Sequence, residues 1–534
     1  AANNVAVGHN ALTANTTGTE NVAVGATALD ACTTGSYNHA MGKSAGGAIT
    51  TGVCNIAIGN TTLSTATTAD NNTAVGHNSL SVNTADNNTA VGFDVLKANT
   101  TGTANVAVGY AALDANTTAN NNTAVGYNAL TATTVGHSNT TVGKNAGAAI
   151  TTGDANVAIG SDALEANTTA DNNTAVGASA LAANTTGANA VAVGKGALAA
   201  NTTGASNVSV GFESLKANTT GASNIGIGTG ALEANTTASY NIGIGHDALL
   251  VNTGIANVAI GYQALDANTT ANRNVAIGDQ ALSLNTTGDG AVAIGAYCLD
   301  AQTTAANNTA IGHSAMTAAT TGNLNVAVGT NAANSITTGV QNVMLGQGAG
   351  TTLTSGHYNT VVGNACNVSA ANSSRQLVFG NSLTGTTDNA VHIGGSGGHV
   401  RNDFLDDATW DQVSDVRKKT NIEDSSMGLD FINKLRTVIF NWKSPSEFPE
   451  EWQEYNANQT EPLTENKKMG LIAQEVKAVI DELGIEHYDS TWGEKPDGQQ
   501  EIGPSAYVFP LIKAVQELSA EVEKLKEQLK YGRI

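Results

Sequence analysis

The chain has 534 residues, a formal net charge of −21, 59 glycines and only 4% aromatic residues. Residues 1–400 hold 7 Lys and Arg against 18 Asp and Glu, and residues 401–534 hold 16 against 26, so no basic stripe follows a phosphate backbone and nucleic acid is not expected as a partner. No apolar run reaches the ~18 residues of a membrane-spanning helix, which speaks against membrane insertion, and Cys32, Cys54, Cys298 and Cys366 show neither metal-ligand spacing nor a disulfide framework.

The first 394 residues repeat one phrase. Asn4-Val-Ala-Val-Gly8 returns, with Ile for Val in places, at Asn21–Gly25, Asn55–Gly59, Asn105–Gly109, Asn156–Gly160, Asn257–Gly261 and Asn325–Gly329, with looser variants between. Aligned on the glycine, about 23 copies run from Gly8 to Gly380, almost all 17 residues apart, with Gly76–Gly92 and Gly245–Gly261 at 16. A period this strict means a solenoid. In Val5-Ala6-Val7 the valines share one strand face and Ala6 takes the other. Gly8 permits a bend where a Cβ would be costly, Leu12 supplies the bulky group, and Asn15-Thr16-Thr17-Gly18 closes the unit with turn chemistry. The pattern reads as two short strands and two turns per unit.

Four units move the bulky group. Gly46, Gly147, Ala333 and Gly350 occupy the leucine site, and Ile49, Ile150, Ile336 and Leu353 follow three residues later, where other units have Asn. One large side chain per unit is kept, as a buried core of fixed volume requires. Stacked at about 4.8 Å per coil, the units would build a rod on the order of 110 Å long. A narrow coil with one Leu and two Val can hardly support itself, so several chains are expected to share the axis.

Asn-Val-Ala-Val-Gly with its following Ala-Leu, and the variants Asn55-Ile-Ala-Ile-Gly59 and Asn274-Val-Ala-Ile-Gly278, resemble the head repeats of trimeric autotransporter adhesins. The resemblance covers about 390 residues and implies a left-handed parallel β-roll, one coil per repeat, in a homotrimer. The chain opens inside a repeat at Ala1 with no initiator Met, and an N-terminal attachment region joining other tail proteins is expected before it.

Other features of the repeat are weighed against solvated surface. The Thr-Thr pairs invite an ice-binding reading, but turn ladders ordinarily face water. Carboxylates such as Asp162, Glu165 and Asp171 could form a glycan-hydrolysing pair, yet they follow no evident fixed place. His9, His39, His77, His137, His246, His313 and His357 are irregularly spaced, and a metal on a threefold axis, held by one of them or by His392, is the sharper reading set aside. No cofactor and no metal site are expected.

After Gly380 the period fails. Val391-His392-Ile393-Gly394 is a shortened echo, Gly395-Ser-Gly-Gly398 reads as a flexible break, and 395–413 as a linker. All four tryptophans and all six prolines lie beyond. Ser426-Met427-Gly428-Leu429 begins a helical pattern through Phe431, Ile432 and Leu435, Val438 to Trp442 reads as a strand, and 444–468 as a polar surface loop. Ile472, Val476, Val479, Ile480 and Leu483 mark one face of an amphipathic helix. Val508, Leu511, Val515, Leu518, Val522, Leu525 and Leu529 alternate steps of three and four, a coiled-coil seam of about three heptads over 508–530.

Three motifs in order, Ser414-Asp-x-Arg-x-Lys419-x-Asn-Ile422, Gly470-Leu-Ile-Ala-Gln-Glu-Val476 and Tyr507 with Leu511-Ile-Lys-Ala-Val-Gln-Glu-Leu518, closely resemble the intramolecular chaperone auto-protease domain that ends many phage tailspikes and tail fibres. The match covers about 410–534. It implies a small α+β domain that trimerises, helps the preceding fibre fold, and cuts itself off beside the serine by a Ser–Lys dyad, here Ser414 and Lys419. A serine hydroxyl needs a base, and neutral lysine can serve. Free lysine has a pKa of about 10.4, so Lys419 must be lowered by desolvation on assembly or by Arg417 and Lys418. Cleavage is expected at Val413–Ser414 through an ester at Ser414 Oγ, with Asp415, Arg417 and Asn421 supporting the turn.

The sequence therefore predicts a mainly β protein: a trimeric β-roll shaft (1–394), a linker (395–413) and a chaperone auto-protease domain (414–534). The reading is a homotrimeric phage tail fibre of the virion tail, extracellular in its working state and made as a precursor in the host cytoplasm. It would bind a host receptor or glycan and act on no external substrate. A bacterial trimeric surface adhesin is the first rival, disfavoured because a coiled coil rather than membrane β-strands closes the sequence. A glycan-degrading tailspike is the second, disfavoured by the scarcity of aromatic platforms.

Overall fold

The computed structural model describes residues 2–403, 411–412, 420, 422–450, 452, 455–462, 466–485 and 491–532. The chain divides into two compact units, Ala1–Val413 and Ser414–Ile534.

The first unit is a parallel β-solenoid. Three-residue strands recur once per coil from β1 (Val5–Val7) to β22 (Thr360–Val362), followed by the longer β23 (Leu377–Asn381). Each pairs in register with the strand one coil on, as in Val157↔Thr174, Ala158↔Ala175 and Ile159↔Val176. The two 16-residue units keep this register, Thr73↔Thr89 and Ile242↔Val258, so the missing residue comes out of the turn and leaves the strand intact.

One strand per coil replaces the two expected. The leucine segment runs as turns because Leu29, Leu164 and their equivalents sit in the left-handed region, at φ 50 and 51. That conformation costs an L-residue roughly 1–2 kcal/mol, which the ~1.5–3 kcal/mol from burying a leucine side chain offsets. It also aims the Leu164 N–H at Ala180 O of the next coil, 3.0 Å away. Gly46, Gly147, Ala333 and Gly350 keep the same backbone, at φ 60, 62, 52 and 71. Ile49, Ile150, Ile336 and Leu353 are buried in the space so released. A Cβ on Gly147 would stand 3.0 Å from Ile150 Cδ1, so the two positions share one volume.

The valines are not the core of their own coil. Ala158 is fully buried and Ile159 is 40% exposed, and the same alternation repeats along the unit. The interior holds Ala and one Leu per coil, flanked by two buried amide ladders. In one, the Asn156 N–H donates to Asn139 Oδ1 at 3.0 Å while Asn139 Nδ2 donates to Gly153 O at 2.9 Å. In the other, Asn201 Nδ2 donates to Asn184 Oδ1 at 2.9 Å and to Gly204 O at 3.0 Å. A neutral amide both donates and accepts there without stacking charge upon charge.

The echo at Val391–Gly394 is a real last rung. β24 (Ala390–Gly395) pairs in parallel with β23, Gly380↔Gly394, then folds back antiparallel onto β25 (Gly398–Asp403), which pairs with β26 (Asp411–Gln412). The glycine-rich stretch 395–398 is the tight turn of that hairpin, not a flexible break, because Gly395 pairs with Gly398.

The second unit is small and α+β. It contains α1 (Leu429–Lys434), an antiparallel pair β27 (Val438–Phe440) and β28 (Lys468–Gly470), and α2 (Ala473–Glu482). A two-residue hairpin, β29 (Gly493–Glu494) with β30 (Gln500–Glu501), then precedes the long α3 (Val508–Tyr531). Among the described residues no helix is long and apolar enough to cross a membrane.

The strand-end glycines let neighbouring coils approach closely. Gly177, at φ +140, would place a Cβ 2.5 Å from Gly194 O. Gly177→Ala is therefore expected to destabilise its coils by on the order of 3 kcal/mol, read as faster hydrogen exchange over 174–193. Gly397→Ala, where a Cβ would meet nothing within 4 Å, should leave exchange unchanged.

Candidate functional site

The second and third sequence motifs meet in the core of the second unit. Met427, Phe431, Val476, Ile480, Ile485 and Tyr507 form one buried cluster, with Leu435, Leu471, Val479 and Leu483 packed against it. Phe431 and Tyr507 stack with centroids 6.4 Å apart. The Tyr507 hydroxyl donates to Thr491 O at 3.0 Å, and burial pushes its pKa up to about 12. These side chains are a scaffold.

Helix α3 has two faces with different uses. Pro510 and Ala514 are buried against the unit, and Glu517 continues that row one turn on. The heptad seam lies about 100° round the helix, and the described residues leave it open: Leu511 and Leu518 are each 48% exposed and Leu525 is 56% exposed. Every residue from 518 to 530 is exposed. Ile439 and Met469, facing each other across β27 and β28, are exposed as well.

Residues 414–485 match the family Peptidase_S74, described as chaperone of endosialidase. No curated protein matches the chain. A β-solenoid joined to a chaperone-of-endosialidase segment fits a tail fibre or tailspike type of protein. The family match ends before α3.

The residues predicted for cleavage, Val413, Ser414, Asp415, Arg417, Lys419 and Asn421, lie outside the described residues. The structure brings together the scaffold downstream of them: Met427 and Phe431 from the start of the unit, Val476 from the second motif, and Tyr507 from the third. Sequence reasoning missed Glu517, whose Oε2 accepts from the Leu429 N–H at 2.6 Å across 88 residues; no local spacing signals that pair.

In the first unit the polar groups mostly serve the stack. Asp70, Asp86, Asp154, Asp171 and Asp289, thought to be scattered, share one place in the coil. Each accepts a backbone N–H from the coil before, as Asp171 Oδ1 does from Asp154 at 2.8 Å. His137 and His357 occupy that place too and accept through Nδ1. Asp162 accepts from Asn145 Nδ2 and Ser161 Oγ at 3.1 and 2.9 Å. The first Thr of most pairs donates its hydroxyl to the next coil, as Thr202 Oγ1 does to Thr219 O at 3.0 Å. His392 pairs in register with Val378, at the inward position of the coil, and is fully buried, so its ring does not face outward to an axis. Among the described residues no three His, Cys, Asp or Glu side chains are grouped to hold a metal.

The shaft does carry one aromatic strip. His77, Phe93, Tyr110 and Tyr127, from successive coils, stack with centroids 5.2, 5.5 and 5.1 Å apart and planes within 10°. The rings cover each other's faces, which are what a sugar ring would need.

Asp114, Asp266 and Asp300 share another place, beside the leucine, where burial raises each carboxyl above its usual range. Asp266 Oδ1 is buried without a partner. A carboxyl raised by folding contributes stability that is present below its unfolded pKa and lost as pH rises through the folded value. Asp266→Asn should therefore be more stable than wild type at pH 7, by under about 1 kcal/mol after solvent screening. The gap should close as the pH falls below about 4, measured by thermal melting across that range.

Proposed function

We propose that the protein is the homotrimeric shaft of a virion tail fibre or tailspike, with residues 414–534 acting as a clamp that assembles it and then leaves. The observation that carries trimerisation is apolar surface without a partner, in both units. The third, outward residue of the strand is Val or Ile in coil after coil, and Ile159, Val193, Ile227, Ile311 and Val328 at that place are 37–40% exposed. In the second unit the α3 seam continues the same demand. Two further copies would cover both, since a coiled coil of about three heptads needs partners along its whole length.

Self-cleavage at Val413–Ser414 is supported by three coincidences. The family match begins at Ser414, the two compact units part between Val413 and Ser414, and a lysine follows five residues later at Lys419. Neutral Lys419 Nζ takes the proton of Ser414 Oγ, which attacks the Val413 carbonyl carbon. The Val413–Ser414 C–N bond breaks as the ester to Oγ forms, and the proton passes to the departing amine. Water then hydrolyses the ester, leaving the Val413 carboxylate and a new N-terminal serine. The external partner of the released shaft is a host receptor or glycan.

Denaturing gels of full-length chain test the cut. Wild type should yield pieces of residues 1–413 and 414–534, while Ser414→Ala and Lys419→Ala stay whole, with trimers present in all three by cross-linking. A wild-type trimer that stays at full length would sink the reading. Leu518→Ser with Leu525→Ser should lower the trimer fraction and the cleaved fraction together; cleavage at an unchanged rate in monomers would separate the two events and overturn the clamp.

A further inference from the structure

We propose that Glu517 is a positioning residue for the self-cleavage: its carboxylate latches the coiled-coil helix to the start of α1, so that pairing of the helices fixes the chain leading out of the cleavage segment. The inference rests on the autoproteolytic reading above and deepens it by naming how assembly reaches the cut.

The latch is built on both sides. Helix α1 has no side-chain cap of its own at Gly428. Its first N–H, on Leu429, instead donates to Glu517 Oε2 at 2.6 Å. A carboxylate there satisfies an orphan donor and faces the positive end of the helix. Gly428 leaves room for that carboxylate: a Cβ there would stand 2.1 Å from Glu517 Oε2 and 2.5 Å from Cδ and would push the side chain from this position. On its own helix, Glu517 follows buried Ala514 by three residues and precedes the seam residue Leu518 by one. It therefore sits where the inward row meets the seam. Lys513, 3.8 Å away, holds the other oxygen on the same helix.

The chain on the far side of the latch is short. Gly428 comes nine residues after Lys419, no more than ~30 Å of extended backbone. Before assembly the exposed half of α3 has no partner, and a helix end of that kind frays. Pairing along the seam stiffens α3 through Leu518, and with it the carboxylate that anchors α1. Assembly thereby acts on the cleavage segment through a described contact, with no need for a residue from another copy to enter the site.

The test follows self-cleavage of freshly assembled full-length chain over time, with trimer content measured alongside, in wild type, Glu517→Ala, Glu517→Gln and Gly428→Ala. A second set carries an added trimerising coiled coil after Ile534. Glu517→Ala and Gly428→Ala are expected to trimerise and cut at least fivefold more slowly. Glu517→Gln, which can still accept from Leu429, is expected to restore most of the rate. The added coiled coil should not rescue Glu517→Ala. Wild-type speed in a trimeric Glu517→Ala would overturn the latch while leaving self-cleavage standing, and so would full rescue by the added coiled coil, since Glu517 would then serve trimerisation alone. A wild type that never cuts would instead defeat the underlying reading.

Discussion

The structure depends on how closely one coil can lie on the next. At the end of each strand a glycine at φ near +138 lies so close to the next glycine's carbonyl that a Cβ would stand about 2.5 Å from its oxygen. That contact holds the strands in register from one coil to the next. The register lets Asn139 reach Gly153 on one side and accept from Asn156 on the other. It also lines up Leu164 so that its N–H meets the next coil in a left-handed conformation. Loosening the glycine contact would strand buried amides whose value lies in being fully paired.

Close stacking also narrows the coil. Its interior takes alanine from most strands, with Met344, Val361 and Val378 at that place in the last coils, and one large aliphatic side chain from the opposite side, while the flanking valines turn outward by strand alternation. A solenoid of this kind buries its polar ladders well and its apolar surface poorly. The second unit shows the same imbalance: its small core is closed by Phe431, Ile480 and Tyr507, while the heptad seam and Met469 remain uncovered. Both units carry apolar surface that folding of one chain does not use, which is the physical case for assembly. Identical coils can also pair one step out of register, a hazard that the repeat by itself does not remove.

The period of 17, the fixed-volume core and the α3 heptads were legible because each is a local pattern of residue types. The exchange of Leu for Gly with a new Ile three residues on could be read as a buried volume without coordinates, and Ile150 confirms it at full burial. The single strand per coil was not legible, because a leucine at positive φ is unfavourable alone and is held only by the coil stacked on it. The side-chain ladder of Asp154, Asp171 and His137 looked scattered, because its members share a place in the coil and not a residue type. The Glu517–Leu429 contact joins residues 88 apart and leaves no spacing to find.

By itself the sequence determined the repeat, the change of domain near residue 414 and the chemistry a serine and a lysine at 414 and 419 could perform. These follow from residue types at fixed short separations. Tertiary structure alone decided which face of Val-Ala-Val is inside, that Gly395–Gly398 is a hairpin turn, and that one carboxylate of the coiled-coil helix caps a helix at the unit's other end. Those outcomes depend on what another part of the chain occupies: the space inside a coil, the next rung of a sheet, the bare N–H of a distant helix.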